Sequence, residues 1–327
     1  MMEWTDRHCR YFHRLLSPRA RLYTEMVTTG ALLHGEVARH LDFSAEEHPV
    51  ALQLGGSNAH ELATCARLAQ RWGYDEINLN CGCPSPRVQR GAFGACLMAE
   101  PQLVRDCVRA MRDAGSLPVT VKHRIGIDRT ESYGFVRDFV GTVGESGCSV
   151  FIVHARNAWL DGLSPKRNRE VPPLRHDTVA RLKADFPQWT FVVNGGLMER
   201  PQIEHELARV DGVMLGRAAY HDPWRLIEWD TLAFDGGAQP PPDRDAIEQA
   251  MVGYMEQRAT HDGTPWTAIA RHMMGLRLGQ PGARRWRQVW SDHRLRALPP
   301  GEVMLRAREA LGNDPHADAL VDAAAAV

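Results

Sequence analysis

The stretch TFVVNGGLMERPQIEHELARVDGVMLGR, residues 190–217, decides the fold. Residues 190–194 form a short β-branched and aromatic run that stops at Asn194-Gly195-Gly196. A helical pattern follows over 200–207, and a second apolar run, 212–216, ends in Gly216-Arg217. Strand, glycine-rich turn, helix and strand make a βαβ unit. The same unit recurs toward the N-terminus, with apolar runs at 21–27, 50–54, 76–80, 118–122 and 149–154 and helical periodicity over 59–72, 101–114, 133–146 and 177–185. Nearly every run closes in a polar or glycine cluster: Gln53 with Gly55 and Gly56, Asn80 to Cys83, Lys122 with Arg124, His154 with Arg156. Chemistry collected at the C-terminal ends of parallel strands is the pattern of a TIM-barrel mouth.

A barrel has eight strands and the chain offers seven; residues 1–6, MMEWTD, read as the end of a first strand whose body is missing. The expected fold is therefore α/β, a (β/α)8 TIM barrel with its first strand largely missing, followed by a small all-α helical domain. Residues 236–243, GGAQPPPD, are a breaker-rich linker, which predicts a barrel over 1–238 and a helical domain over 243–327. Helical periodicity there covers 244–259, 267–278, 283–294 and 301–311. The last alanine-rich residues are expected to fray.

The 327 residues are 44% hydrophobic and 24% charged, with a net charge of −1, as in a globular protein without bulk attraction to nucleic acid. Any basic surface has to be local. No apolar run has the length of a membrane span, and the N-terminus lacks a secretory signal, so a cytoplasmic protein without a membrane partner is expected; a monomer is the default expectation, as no residue pattern speaks to oligomeric state. Seven cysteines, an odd number scattered along the chain, indicate reduced thiols.

The loops after the last two strands of such barrels often hold a phosphate. Asn194, Gly195, Gly196 and Gly216 let backbone N–H groups approach an anion there, and Arg217 can neutralise it. Lys122 is one of three lysines among 39 basic residues and ends a strand at the mouth. Desolvating it calls for an anion such as a reduced flavin; Gln53 and His154 stand at the mouth ends of their own strands, fit to hydrogen-bond the same group. Cys81 and Cys83 are too close for an ordinary disulfide, and no second Cys/His pair has metal-ligand spacing, so no metal is expected. Gly82 and Pro84 interrupt strand periodicity. Position against Pro84 favours Cys83 over the mouth and Cys81 as a small packed group. With no His nearby to make it a nucleophile, Cys83 reads as a general acid.

Together these residues resemble the tRNA-dihydrouridine synthases, the A subfamily in particular, over nearly the whole chain. The segments YDEINLNCGCPSPRVQRGAFGACLM, PVTVKHRIGID, FIVHARNAWLDGLSPKRNREVPPL, VNGG, DGVMLGRAAY and RHMMGLRLGQPGARRWR carry the likeness. The resemblance implies an FMN-binding barrel with a helical domain, reducing uridine 20 and 20a of the tRNA D-loop with NADPH as electron source. It implies Cys83 as the proton donor and Asn80 beside the target base. FMN contacts fall on Gln53, Lys122, His154, Asn194, Gly195, Gly196, Gly216 and Arg217, and on the backbone of Met1 and Met2. The family's Ala-Pro before the methionine element is not in this sequence.

Two segments suit the rest of the RNA. Lys166-Arg167-Asn168-Arg169 gathers three cations in the loop after the 149–154 strand. Residues 271–296 hold seven arginines and two histidines against one acid, Asp292. Trp286 and Trp290 share a helix face as core, while Arg284 and Arg287 share another as phosphate contacts. Two rivals remain open at this point: a flavin barrel acting on a free small molecule, in the manner of a dihydroorotate dehydrogenase, and a non-catalytic tRNA-binding protein.

Overall fold

The computed structural model describes residues 1–234 and 243–312; the linker and the alanine-rich tail lie outside the described residues. Seven parallel strands form one sheet in the order 1 to 7: β1 (Leu22–Thr28), β2 (Val50–Gly55), β3 (Glu76–Cys81), β4 (Val119–Arg124), β5 (Val150–His154), β6 (Thr190–Asn194) and β7 (Gly212–Met214). Each strand pairs with the next in sequence, so every crossover steps the same way, and right-handed crossovers put all connecting helices on one face. The other face is covered by the sheet curling on itself. Contacts that skip a strand demonstrate the curl: Tyr23 of β1 reaches Glu76 of β3, and Lys122 of β4 reaches Asn194 of β6. This is the (β/α)-barrel winding, built from seven strands.

Helices Ala59–Trp72, Pro101–Asp113, Tyr133–Gly144, His176–Asp185 and Arg200–Leu207 connect the strands. The first shows why the boundaries were readable. Asn58 caps it by accepting from the N–H groups of His60 and Glu61, and Gly73 ends it at φ +84°, where a side chain would be strained. Its buried face is Leu62, Cys65, Ala66 and Ala69. Strand alternation sorts the sheet. Ile77, Leu79 and Cys81 of β3, with Val121 and His123 of β4, turn toward the helices, His123 lying 5.1 Å from the Phe139 ring of the helix Tyr133–Gly144. Glu76, Asn78, Asn80, Thr120, Lys122 and Arg124 take the concave face.

Residues 1–6 do not continue a strand. Trp4 and Thr5 both donate N–H to the Met1 carbonyl at 3.0 Å, and Glu3 has φ +63°. Amides spent inside so tight a turn are lost to a ladder.

Two compact units divide the chain: residues 1–10 with 19–218, and residues 11–18 with those from 219 onward. The second unit thus begins upstream of the linker. Arg244 stacks on the Trp224 ring at 3.9 Å, and the Ser17 hydroxyl donates to Asp230 at 2.6 Å. Its longest helix, Arg244–Asp262, is joined by Arg225–Ala233, Trp266–Ala270, Ala283–Trp290 and Pro300–Gly312. The helix expected over 267–278 stops at Ala270 and gives way to a 3-10 turn. Gly275 approaches the His221 carbonyl so closely that a Cβ there would sit 2.6 Å from it. At the unit's core Glu248, fully buried, accepts from the indole N–H groups of Trp286 (2.6 Å) and Trp290 (2.9 Å) and from Arg277 (2.8 Å) and Arg308 (3.1 Å). Among the described residues no helix is long and apolar enough to cross a membrane.

Candidate active site

The end of β3 separates the two thiols. Cys81 completes the outward set and is fully buried, and burial pushes its thiol well above the ordinary range. Cys83 lies beyond the strand and is partly exposed at the mouth. Its loop is held at several points. Asn80 Oδ1 accepts from the N–H groups of Gly82 (3.0 Å) and Cys83 (2.9 Å), and the Cys83 carbonyl accepts from Ala95 N–H at 2.9 Å. Gly94 makes that approach possible: at φ +78°, a Cβ would stand 2.6 Å from the Cys83 oxygen. Gln89 donates to the carbonyls of Pro84 (2.9 Å) and Leu160 (2.7 Å), tying this loop to the one after β5.

Basic residues stand in the same region of the mouth. Cys83 is an electrostatic neighbour of Lys122, Arg124 and Arg169. Lys122 donates to Asn194 Oδ1 at 3.3 Å, and Asn194 Nδ2 donates in turn to the Met214 carbonyl at 2.7 Å. Desolvation first, and the neighbouring Arg124 second, lower the Lys122 ammonium to about 7. Among the described residues Arg124, 3% exposed, has carbonyl partners alone (Gly82, Asn157 and Asn168), and burial lowers it to about 10. Burial also pushes His154 well below its usual value, with Arg124, Lys122, Arg156 and Arg169 adding to the effect. Arg156 and Arg169 are lowered by burial and by Arg217. Glu170 is the carboxylate paired here, 2.9 Å from Arg217.

So much unmatched positive charge calls for an anion. The glycines supply its cradle. Gly195 (φ +114°) and Gly196 (φ +70°) leave no room for a side chain, since a Cβ would strike His154 at 2.6 Å and Leu174 at 2.3 Å respectively. His176 bonds the Gly195 carbonyl at 2.7 Å and fixes that turn. A cofactor with a phosphate and an electron-rich ring fits this donor set.

Of the residues singled out in the sequence, β3 to β6 and their loops bring together Asn80, Cys83, Lys122, His154, Asn194, Gly195 and Gly196, and Arg217 donates to the Arg169 carbonyl at 3.4 Å beside its pair with Glu170. Gly216 lies beside the Met1 sulfur, 3.5 Å from where a Cβ would stand. Met1 and Met2 are exposed, and the turn takes up the Met1 carbonyl. Gln53 bonds the side chains of Asn78 and Asn80. Lys166 stays on the exposed surface of its loop. Arg284 and Arg287 belong to the second unit, Arg284 exposed and Arg287 partly so.

Several supporting residues were not read as such from the sequence. Asn168 is fully buried; it donates to Trp159 O (2.9 Å) and accepts from Trp159 N–H (2.7 Å), pinning the loop that carries Lys166 and Arg169. Asn78 and Thr120 were missed too, although polar residues alternating at 76, 78 and 80 and at 120, 122 and 124 mark a polar barrel interior.

A family model described as Dihydrouridine synthase (Dus) matches residues 1–304. The chain is 58% identical over 291 residues to the tRNA-dihydrouridine(20/20a) synthase of Pseudomonas syringae pv. tomato, covering 89% of this chain and 86% of that protein. It is 54% identical over 312 residues to the Yersinia pestis protein of the same name (95% and 89% covered). Against that of Escherichia coli K12 it is 56% identical over 294 residues (90% and 84%). With the match running from the first residue through the helical unit, and with the thiol loop, the lysine and the glycine cradle all in place, this chain belongs to the dihydrouridine synthase family.

Proposed function

We propose that the protein reduces the C5=C6 bond of uridine 20 and 20a in the tRNA D-loop, with FMN as resident cofactor, NADPH as electron source and Cys83 as proton donor. The supporting observation is the setting of Cys83: an accessible thiol on a loop clamped by Asn80 and Gly94, among Lys122, Arg124 and Arg169. Asn194, Gly195, Gly196, Gly216 and Arg217 would hold the FMN phosphate, and Lys122, Gln53, His154 and the Met1–Met2 backbone would meet its ring system. When bound, FMN supplies hydride chemistry at the mouth.

Hydride addition at C6 of uracil develops negative charge toward C5 and the C4 carbonyl. Cys83 Sγ gives its proton to C5 as that charge develops. Asn80 holds the acid in place. Both lone pairs of its Oδ1 are committed to the loop and one Nδ2 hydrogen to Gln53, which leaves one amide hydrogen and the side-chain face for a base. A uridine reaches this depth only by leaving its stack, which an RNA loop allows at low cost. Lys166, Arg169, Arg284 and Arg287 meet tRNA phosphates. The protein acts as a cytoplasmic monomer.

The test is dihydrouridine mapping in tRNA from a strain lacking the activity, after incubation with FMN-loaded protein and NADPH. Cys83→Ala is expected to keep NADPH-driven bleaching of the flavin absorbance while product formation falls by 10²-fold or more, on the order of a lost general acid. Cys81→Ala is expected to keep both. Equal losses in the two variants would overturn the assignment.

A further inference from the structure

Inside the barrel, a chain of side-chain hydrogen bonds runs from the far end of β3 to the Cys83 loop. Arg21 donates to Glu76 Oε2 at 2.6 Å, while Tyr23 (3.0 Å) and the Thr120 hydroxyl (2.7 Å) donate to Glu76 Oε1. Asn78 Nδ2 donates to Thr120 Oγ1 at 2.8 Å, and Gln53 Nε2 donates to Asn78 Oδ1 at 2.8 Å. Asn80 Nδ2 donates to Gln53 Oε1 at 2.9 Å, and Asn80 Oδ1 receives the N–H groups of Gly82 and Cys83. Asn78 is fully buried, Thr120 is 1%, Glu76 4% and Asn80 8% exposed, while Gln53, nearest the mouth, is half-buried.

The direction of every bond follows from its ends. A carboxylate only accepts, so the Thr120 proton must point to Glu76, and Thr120 oxygen must then accept from Asn78. That leaves Asn78 Oδ1 for Gln53 Nε2, Gln53 Oε1 for Asn80 Nδ2, and Asn80 Oδ1 for the loop. Backbone N–H groups only donate, and reading down from Cys83 gives the same polarity. An amide facing the wrong way would set donor against donor, and at the buried Glu76, Thr120 and Asn78 steps each unmade bond is costly.

We propose that Glu76, four residues (about 13 Å) down β3 from Asn80, and Thr120, opposite Asn78 on β4, are positioning residues for the thiol loop: they fix which way the Asn78, Gln53 and Asn80 amides face. This rests on the acid role proposed for Cys83. Substituting Glu76→Gln keeps the shape and reverses the signal. Arg21 claims the new oxygen, so the new NH₂ faces Thr120 and Tyr23; Thr120 then donates to Asn78, each amide above turns over, and Asn80 presents NH₂ to the N–H groups of Gly82 and Cys83. Adding Arg21→Met frees the oxygen to face Thr120 and restores the original direction.

The experiment follows amide hydrogen exchange of the peptide containing Gly82 and Cys83, together with turnover on tRNA, in the full-length FMN-loaded protein. Glu76→Gln and Thr120→Val are each expected to speed exchange there about tenfold and to lower kcat by on the order of tenfold with KM for tRNA unchanged. Thr120→Ser, which keeps the hydroxyl, and the double variant Glu76→Gln/Arg21→Met should return to near wild-type behaviour. A purely structural role predicts no rescue by deleting a second partner. Wild-type exchange at residues 82–83 in folded Glu76→Gln and Thr120→Val, or failure of the double variant to restore it, overturns the inference and leaves the activity standing. Faster exchange in the variants of a parent that makes no dihydrouridine supports the device and sinks the activity instead.

Discussion

Among the described residues Lys122 makes a single hydrogen bond, to a neutral amide, and its ammonium is lowered to about 7 from an ordinary value of 10.5. The native state therefore binds fewer protons at this site than the unfolded chain between those two pH values. Stability rises with pH wherever the unfolded state holds more protons, so Lys122 penalises folding of the cofactor-free protein at neutral pH and ceases to do so toward pH 10. Melting temperature of the FMN-free protein minus that of Lys122→Met should climb from pH 7 to pH 10. Saturating FMN should flatten the climb, because an anion beside the ammonium holds its proton. A difference curve that is flat without FMN would show that the lysine carries no such burden. How legible these residues were differs from one to the next. Lys122 stood out as a rare lysine at a strand end, and Cys83 by its place against Pro84. Alternation carried from Glu76 through Asn78 to Asn80 would also have sent Cys81 outward. Arg124 and Arg156 were visible as strand-end cations, but their lack of carboxylate partners exists only once distant loops close over them.

Strands and their connecting helices were readable to within a residue or two wherever a cap and a periodic face coincided, as at Asn58 and Gly73. The loop after β5 was not, because its order comes from one buried amide. Asn168 bridges both backbone groups of Trp159, and its own carbonyl receives Arg124. Asn168→Ala should cost about 1–3 kcal/mol in unfolding free energy, the range for stranding buried polar groups. It should also open 160–170 to limited proteolysis and raise KM for tRNA more than Lys166→Ala does. Unchanged cleavage of that loop would mean its order comes from elsewhere. The helix Arg7–Leu16 also went unread, although Cys9, Phe12 and Leu16 are buried along it together with Arg10, His13 and Arg14. Helix 267–278 was read too long because its periodicity survives a turn that the close approach of Gly275 imposes.

Across the whole chain, charge is neutral while residues 271–296 are strongly basic, and the structure divides those arginines. Arg277 is committed to Glu248 and Asp245, and Arg294 to Asp292. Arg284 and Arg287 make no side-chain hydrogen bond or ion pair with the described residues. Each is expected to contribute roughly 0.7–0.9 to the slope of log affinity for tRNA against log salt. The double variant Arg284→Ala/Arg287→Ala should flatten that slope by the sum, measured by filter binding from low to high salt. An unchanged slope would make them ordinary surface cations. The division of the structure falls at residues 218 and 219 rather than at the linker expected near 238, and the Arg244–Trp224 stack joins positions on either side of that linker. Removing the buried acid, Glu248→Ala, leaves two indole N–H groups without their acceptor and Arg277 with Asp245 as its remaining carboxylate, and should cost about 3–5 kcal/mol; a loss below about 1 kcal/mol in chemical denaturation would show the centre relaxes around it.

The same arrangement gives the protein an optical readout. Trp286 and Trp290 are 0% and 2% exposed and share one carboxylate oxygen, so both indoles emit from a dry, fixed field. Water reaching Glu248 would red-shift their fluorescence while far-ultraviolet dichroism of the barrel is unchanged, so loosening of the helical unit can be timed in a cuvette, without labels, as tRNA arrives.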